Sequence, residues 1–213
     1  EFYRVNHFAH VNYAHQESLI GTLLCVNGAG IQYSWLRRIS NHTDFNKMND
    51  LASKVPIGSE GLINLPFGNG AERMLNNKAP GAHFLNLNLN KHQQGHLFRS
   101  ALEGIAFSFA YGMEIMEEDA LDIKVIRAGN DNLFRSEIFS NTVASLIGQS
   151  IEIYNTTGAI GAARAACIDF SGLEDYSQSI SSIDRLIEVK PQKETDAYLL
   201  AYQKWKTELE RKI

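Results

Sequence analysis

At 213 residues, 44% apolar and 21% charged, the chain can bury one sizeable core and falls among globular domains, not disordered or fibrous ones. A net charge of -4 argues against a nucleic-acid partner. No window approaches the roughly 18 consecutive apolar residues of a membrane span and no signal peptide opens the chain, so no membrane partner is expected and the cytoplasm is the default.

The opening, Glu1 onward, starts inside strand-like sequence and lacks Met, which reads as a piece of a longer chain. Phe2 to Tyr13 alternates and predicts an extended strand, and Ser18 to Val26 predicts a more buried one. Asn27-Gly28-Ala29-Gly30 then leads into a helix spaced through Ile31, Trp35, Leu36 and Ile39. Asn41 to Val55 predicts a second helix with Thr43 as its N-cap. A short strand at Leu62 to Leu65 precedes a Gly/Asn/Pro-rich stretch, Pro66 to Asn90, which reads as a long loop, and such loops are usually functional or interfacial. Lys91 to Asp119 predicts a long helix with Leu97, Ala101, Ile105, Phe109, Met113 and Met116 on one side, while Gly104 and Gly112 permit close packing.

The stretch Leu121 to Asp169 carries the most information. A strand (IKVI) runs into Arg127-Ala128-Gly129-Asn130-Asp131-Asn132 and a helix; a second (IEIY) runs into Asn155-Thr156-Thr157-Gly158 and a small-residue helix of the kind that packs very close to a sheet. Helices are expected over Leu173 to Leu186 and Glu194 to Ile213, the latter with Tyr198, Leu199, Tyr202 and Trp205 on its apolar side, joined by Glu188 to Lys193. Strands alternating with helices after an antiparallel start predict an α/β fold with a mixed sheet.

Three loops share one pattern, strand then Gly/Asn then helix start: Asn27 to Gln32, Arg127 to Asn132 and Asn155 to Gly161. Singly, such a glycine closes a turn; together they fit a nucleotide held at the carboxyl ends of strands by backbone N–H groups. None matches the Gly-Lys-Ser/Thr phosphate loop or the dinucleotide fingerprint. His92 and His96 are one helical turn apart but lack further ligands nearby and read as a solvated helix start, while His7 and His10 fall on opposite strand faces. Glu72-Arg73 reads as either a surface ion pair or the mouth of a cleft. Cys25 and Cys167, both in apolar stretches, read as buried core residues of a reducing compartment, Cys25 as core and not as a nucleophile.

The ordered segments GAGIQYSWLRR, EGLINLPFGNGAER, FRSALEGIAFSFAYGM, IRAGNDNLFRSEIFSNTVASLIGQ and NTTGAIGAARAA, spanning about His7 to Phe170, resemble the FGGY family of carbohydrate kinases, its xylulokinase branch in particular. The resemblance implies an actin-like, ribonuclease-H-like ATPase domain, and a two-domain enzyme that phosphorylates a sugar hydroxyl with ATP and Mg²⁺ in the interdomain cleft. It implies that residues 1–213 are the C-terminal nucleotide-binding domain, with 171–213 a helical appendage, and that the sugar-binding N-terminal domain, its catalytic base and the Gly-Thr-rich opening hairpin are missing. On this resemblance Gly28, Gly30 and Gln32 approach the adenosine and Ala128, Gly129, Asn130 and Asn132 form the second nucleotide loop, where relatives carry a run of glycines. Glu72 and Arg73 match a Gly-Glu-Arg cleft element whose first position is Ala71 here. Two residues inserted before Trp35 point away from the glycerol kinases.

The implied substrate is D-xylulose, with gluconate or ribulose as alternatives and a non-catalytic nucleotide-binding module as a second class. A metal hydrolase on His7, His10 and Glu17 is the third. The isolated chain is expected to be inactive, and the edge of the first strand could support a homodimer.

Overall fold

The computed structural model describes residues 4–9, 20–118, 123, 125–166 and 184–213. In chain order the elements are β1 (Asn6–Ala9), β2 (Ile20–Leu23), α1 (Ala29–Ile39), α2 (Phe45–Ser53), β3 (Ile63–Phe67), β4 (Gly81–Leu85), α3 (Gln94–Glu118), β5 (Ile126–Gly129), α4 (Glu137–Ile147), β6 (Ile151–Tyr154), α5 (Gly158–Ala166), β7 (Arg185–Val189) and α6 (Thr195–Glu210). The fold is α/β, as the alternation predicts, but the strands pair in three small sheets. β1 and β2 form an antiparallel pair, as do β3 and β4, and a mixed sheet has the order β5-β6-β7, its first pair parallel and its second antiparallel.

Helix α3 is the shared wall of two apolar clusters. One gathers Tyr33 and Leu36 of α1, Met48 of α2, Phe98, Leu102 and Ile105 of α3, Phe139 and Val143 of α4, and Ile151 and Ile153 of β6. The other joins Leu65 and Phe67 of β3, Met74 and Leu75, Phe107 and Ile115 of α3, and Tyr202, Trp205 and Leu209 of α6. The one-sided stripe expected for α3 is therefore wrong: Phe98 to Ser108 is buried on every side, as befits a helix packed between layers. Gly104 is needed there, because a Cβ would lie 2.2 Å from the Asn64 carbonyl oxygen of β3. The same Asn64 carbonyl accepts the Trp205 indole N–H at 2.7 Å.

Several local expectations are corrected. Asp44, not Thr43, caps α2, its carboxylate accepting the Asn46 N–H at 2.8 Å. Pro66 to Asn90 is no featureless loop: it holds the second half of β3, a 3-10 turn at Arg73–Leu75 and strand β4, with Phe67 paired to Gly81. Its alternation was hidden by Pro66 and the Asn/Gly-rich hairpin. In α1 the outward stripe is Ile31, Trp35 and Ile39, each more than two-fifths exposed, while the inward face is Ala29, Gln32, Tyr33 and Leu36. Cys25 is exposed, because Leu24 and Val26 on either side of it turn to the core and extended backbone alternates. Leu199 is exposed while Tyr198, Tyr202 and Trp205 are buried.

At the C-terminus, Arg185 to Val189 is a strand paired antiparallel with β6, where a helix and a link were expected. The described part of 171–213 is thus strand and helix, with Trp205 in the core. Among the described residues, nothing lies within 4 Å of where a Cβ at Gly158 or Gly161 of α5 would stand, so the close packing on a sheet expected of its small residues is not seen there. The expectations for His10, His15, Glu17, Cys167 and the helix before residue 184 lie outside the described residues. Among the described residues no helix is long and apolar enough to cross a membrane.

Candidate functional site

Because β5 and β6 run parallel, the loops that follow them leave the same edge of the sheet. The two loops touch: the Asn130 N–H donates to Tyr154 O at 2.8 Å, and a Cβ on Gly129 would lie 2.5 Å from Thr156 O. Ala128 is held inside β5 opposite Ile153. After Gly129 the chain makes a 3-10 turn, Asn132–Arg135, entered through Asn132 at φ 47°, and Ser136 then starts α4.

A cavity of about 340 Å³ opens between this segment and the first two helices. One wall is Asn132, Leu133, Arg135 and Ser136; the facing wall is Gly30, Tyr33 and Ser34 of α1; the end is Asp44, Phe45, Asn46 and Asn49 at the start of α2. The end wall is stiff. Tyr33 and Phe45 stack at 5.7 Å with 17° between their planes, the Arg37 guanidinium lies 4.5 Å above the Phe45 ring, and the Tyr33 hydroxyl donates to Asn49 Oδ1 at 2.8 Å. Burial pushes the Tyr33 phenol well above its ordinary value, so it stays a neutral donor.

Two buried polar atoms on the elements that frame the cavity lack a partner, and one of them, in Ser136, is on its wall. Ser136 occupies the N-cap of α4, yet its Oγ makes no capping bond, and Ser136 is only 4% exposed. Gln32, on the inward face of α1, is 8% exposed and its Oε1 is also unpartnered. Buried polar groups are nearly always paired, and an orphan such as Ser136 Oγ on a cavity wall marks where a ligand's own polar group fits.

The sequence-derived residues divide accordingly. Gly30 and Asn132 line the cavity, Gln32 is buried on α1 next to the lining Tyr33 without lining it, and Ala128, Gly129 and Asn130 build the loop that carries Asn132. Gly28 sits at the left-handed turn before α1, at φ 72°, where a Cβ would clash with Asn69 at 2.5 Å. Glu72 and Arg73 diverge: Glu72 is fully buried, which removes the surface ion-pair reading, and Arg73 is exposed. Tyr33, Ser34, Asp44, Phe45, Asn49 and Ser136 were missed. Only the Asp44–Asn46 cap left a sequence signal.

The described histidines are tied by hydrogen bonds. Each Nδ1 of His92 and His96 accepts a backbone N–H, from Asn88 at 3.0 Å and Gln93 at 3.1 Å, which puts the ring proton on Nε2. His96 Nε2 then meets Glu60 Oε2 at 2.8 Å. They are half-buried and tied, not simply solvated. Among the described residues no three His, Cys, Asp or Glu side chains are grouped to hold a metal ion.

Comparison with known proteins adds three findings. The family model described as "FGGY family of carbohydrate kinases, C-terminal domain" matches residues 12–170. A xylulose kinase of Haemophilus influenzae is 25% identical over 178 residues, 77% of this chain and 36% of its own length. Among solved structures, a Plasmodium falciparum glycerol kinase with ADP superposes with a TM-score of 0.73 at 19% identity, covering 92% of this chain and 38% of that one. A xylulose kinase from Rhodospirillum rubrum superposes at 0.68 and 20% identity, covering 88% and 38%. The chain thus spans little more than a third of the relatives it matches.

Proposed function

Since the chain belongs to the FGGY family of carbohydrate kinases, matching its C-terminal domain, we propose that it is the nucleotide-binding part of an ATP-dependent sugar kinase. D-xylulose is the preferred substrate of the whole protein, on the strength of the xylulose kinase likeness; gluconate or ribulose are the alternatives within the family. The observation that carries the nucleotide reading is the cavity joining α1, the start of α2 and the Asn132–Ser136 segment, with Ser136 Oγ unpaired on its wall.

In this reading the base and ribose lie in the cavity against the Tyr33–Phe45 stack, and Ser136 completes its bonds on the ligand. Gly30 and Asn132 face the nucleotide from the two walls, and Gly28, Ala128, Gly129 and Asn130 shape the turn and the loop that carry them. Phosphoryl transfer depends on positioning and charge neutralisation more than on covalent help from the protein. This chain supplies the positioning. Mg²⁺ accompanies ATP in such reactions, held chiefly by phosphate oxygens and water; among the described residues no three His, Cys, Asp or Glu side chains are grouped to hold it without the nucleotide. The carboxylate that would activate the sugar hydroxyl is proposed to lie in a partner N-terminal domain, so the chain alone binds nucleotide without transferring phosphate.

Calorimetric titration with Mg-ATP and Mg-ADP tests the reading. Micromolar-to-millimolar binding that Gly129→Val abolishes supports it, since that Cβ would drive the two loops apart at Thr156 O. Wild-type chain that is folded and binds neither nucleotide overturns it. Xylulose-dependent ADP release by the chain alone would refute the division of labour.

A further inference from the structure

Glu72 is fully buried, yet its carboxylate faces backbone and not a cation. Oε2 accepts the Asn27 N–H at 3.1 Å, and Oε1 meets no donor. The residue itself is fixed. Its N–H donates to Lys78 O at 2.9 Å, and its carbonyl accepts from Leu75 N–H at 3.0 Å and Asn77 N–H at 2.9 Å. The same loop grips the turn twice more: Asn27 Nδ2 donates to Ala71 O at 3.0 Å, and the Asn69 side chain fills the space where a Gly28 Cβ would stand.

We propose that Glu72 is a positioning residue for the nucleotide site, a fixed post in the β3–β4 connection that sets the Asn27–Gly28 turn and through it the first turn of α1. The proposal rests on the nucleotide reading above. Stability alone does not explain a carboxylate in this place. A buried carboxyl group with one backbone N–H for company costs more in desolvation than the bond returns, and an apolar side chain of the same volume would be neutral or better for the fold. Burial indeed holds the Glu72 carboxyl above the ordinary glutamate range, with the Asn27 N–H pulling the other way. What the carboxylate does supply is an acceptor at one spot. It orients the amide that precedes Gly28, whose left-handed φ of 72° launches α1, and α1 carries Gly30 and Tyr33 into the cavity wall.

Glu72→Met and Glu72→Gln separate this from a packing role. Met keeps the volume and removes the acceptor; Gln keeps an acceptor and removes the charge. In the chain as it stands, ADP titration should show affinity about tenfold weaker for Glu72→Met and within about twofold of wild type for Glu72→Gln. Hydrogen exchange at amides 27–32 should quicken in Glu72→Met and stay protected in Glu72→Gln, while the melting temperature of Glu72→Met is unchanged or raised. A Glu72→Met chain with wild-type affinity and exchange overturns the proposal, as does a Glu72→Gln chain as impaired as Glu72→Met. Should Glu72→Met not fold, protection at 27–32 in Glu72→Gln decides: retained, it supports the post; lost, it overturns it. If the wild-type chain binds no ADP, the nucleotide reading fails by itself. Exchange in the two variants still shows whether Glu72 sets the turn.

Discussion

Two groups of buried polar side chains in this molecule are built on opposite terms. Around the N-terminal half of α3, Arg99 and Glu103 are almost wholly buried and fully engaged. Arg99 Nε donates to Glu103 Oε1 at 2.7 Å and its Nη1 to Val55 O at 3.1 Å, while Glu103 also accepts from Gly58 N–H and the Ser59 hydroxyl. Gln32 on α1, Glu72 against the turn that precedes α1, and Ser136 on the cavity wall are as deeply buried, and each keeps one oxygen without a donor. The first group clamps a connection whose backbone, at Ser59 and Glu60, takes positive φ and would not hold that shape unaided. The second accepts a standing cost. Where a fold leaves its own polar atom unpaired on the wall of a cavity, as at Ser136, the missing partner is expected from outside.

The difference can be broken most forcefully at the clamp. Glu103→Ala would leave the Arg99 guanidinium buried opposite an empty space, and removal of one member of such a pair costs roughly 3–5 kcal/mol. Thermal unfolding followed by Trp205 fluorescence should show a large drop in midpoint. A drop no larger than that of a surface substitution would mean water satisfies Arg99 and the clamp is not closed. Next comes Gly104→Ala, which sets a methyl group 2.2 Å from Asn64 O. Overpacking of this kind costs roughly 1–3 kcal/mol. It should also loosen the Trp205–Asn64 hydrogen bond, visible as a red shift in indole emission.

Sequence reading and structure agree where the signal is local and fail where it depends on what lies across the chain. The Gly28–Gly30 and Arg127–Asn132 loops announce themselves because a glycine between a strand and a helix has few other uses, and both reach one cavity. Gly104 could be read as a close-packing site, though not its partner Asn64. The facing wall of the cavity was invisible. Tyr33, Ser34, Phe45 and Asn49 lie on two consecutive helices whose mutual angle no periodicity encodes, and Ser136 is conspicuous only because it fails to cap α4. The β3–β4 hairpin was missed for a similar reason: Pro66 and the seven asparagines from Asn64 to Asn90 obscure a pairing that burial of Leu65 and Phe67 with Trp205 enforces. Glu72 shows the limit best. Glu72-Arg73 reads equally as a surface pair or a cleft mouth, and only the fold reveals that Glu72 is buried and Arg73 exposed.

At the cavity wall the expected effects on stability are small and their signs carry the argument. Ser136→Ala removes an unpaired buried hydroxyl, so the folded chain should be unchanged or stabilised by up to about 1 kcal/mol. Nucleotide affinity should instead fall several-fold. Loss of stability without loss of affinity would return Ser136 to the ordinary role of a helix cap and remove the orphan on which the cavity reading stands.

The subtlest test is the pH dependence of Glu72. Burial raises its carboxyl above the ordinary value of 4.5, so between that value and the raised one the native chain binds more protons than the unfolded chain. Stability must then fall as pH rises through this window, because ionising the group costs more in the fold than in water. Glu72→Gln has no such proton, and the clamp at Glu103 is common to both chains and cancels in the difference. Equilibrium urea unfolding at several pH values should therefore show the stability of Glu72→Gln relative to wild type growing as pH climbs above 4.5, then levelling. A difference that shrinks instead would mean that the Asn27 N–H stabilises the carboxylate more than burial penalises it. Glu72 would then be paired on the clamp's terms, and the contrast between the two regions would rest on Gln32 and Ser136 alone.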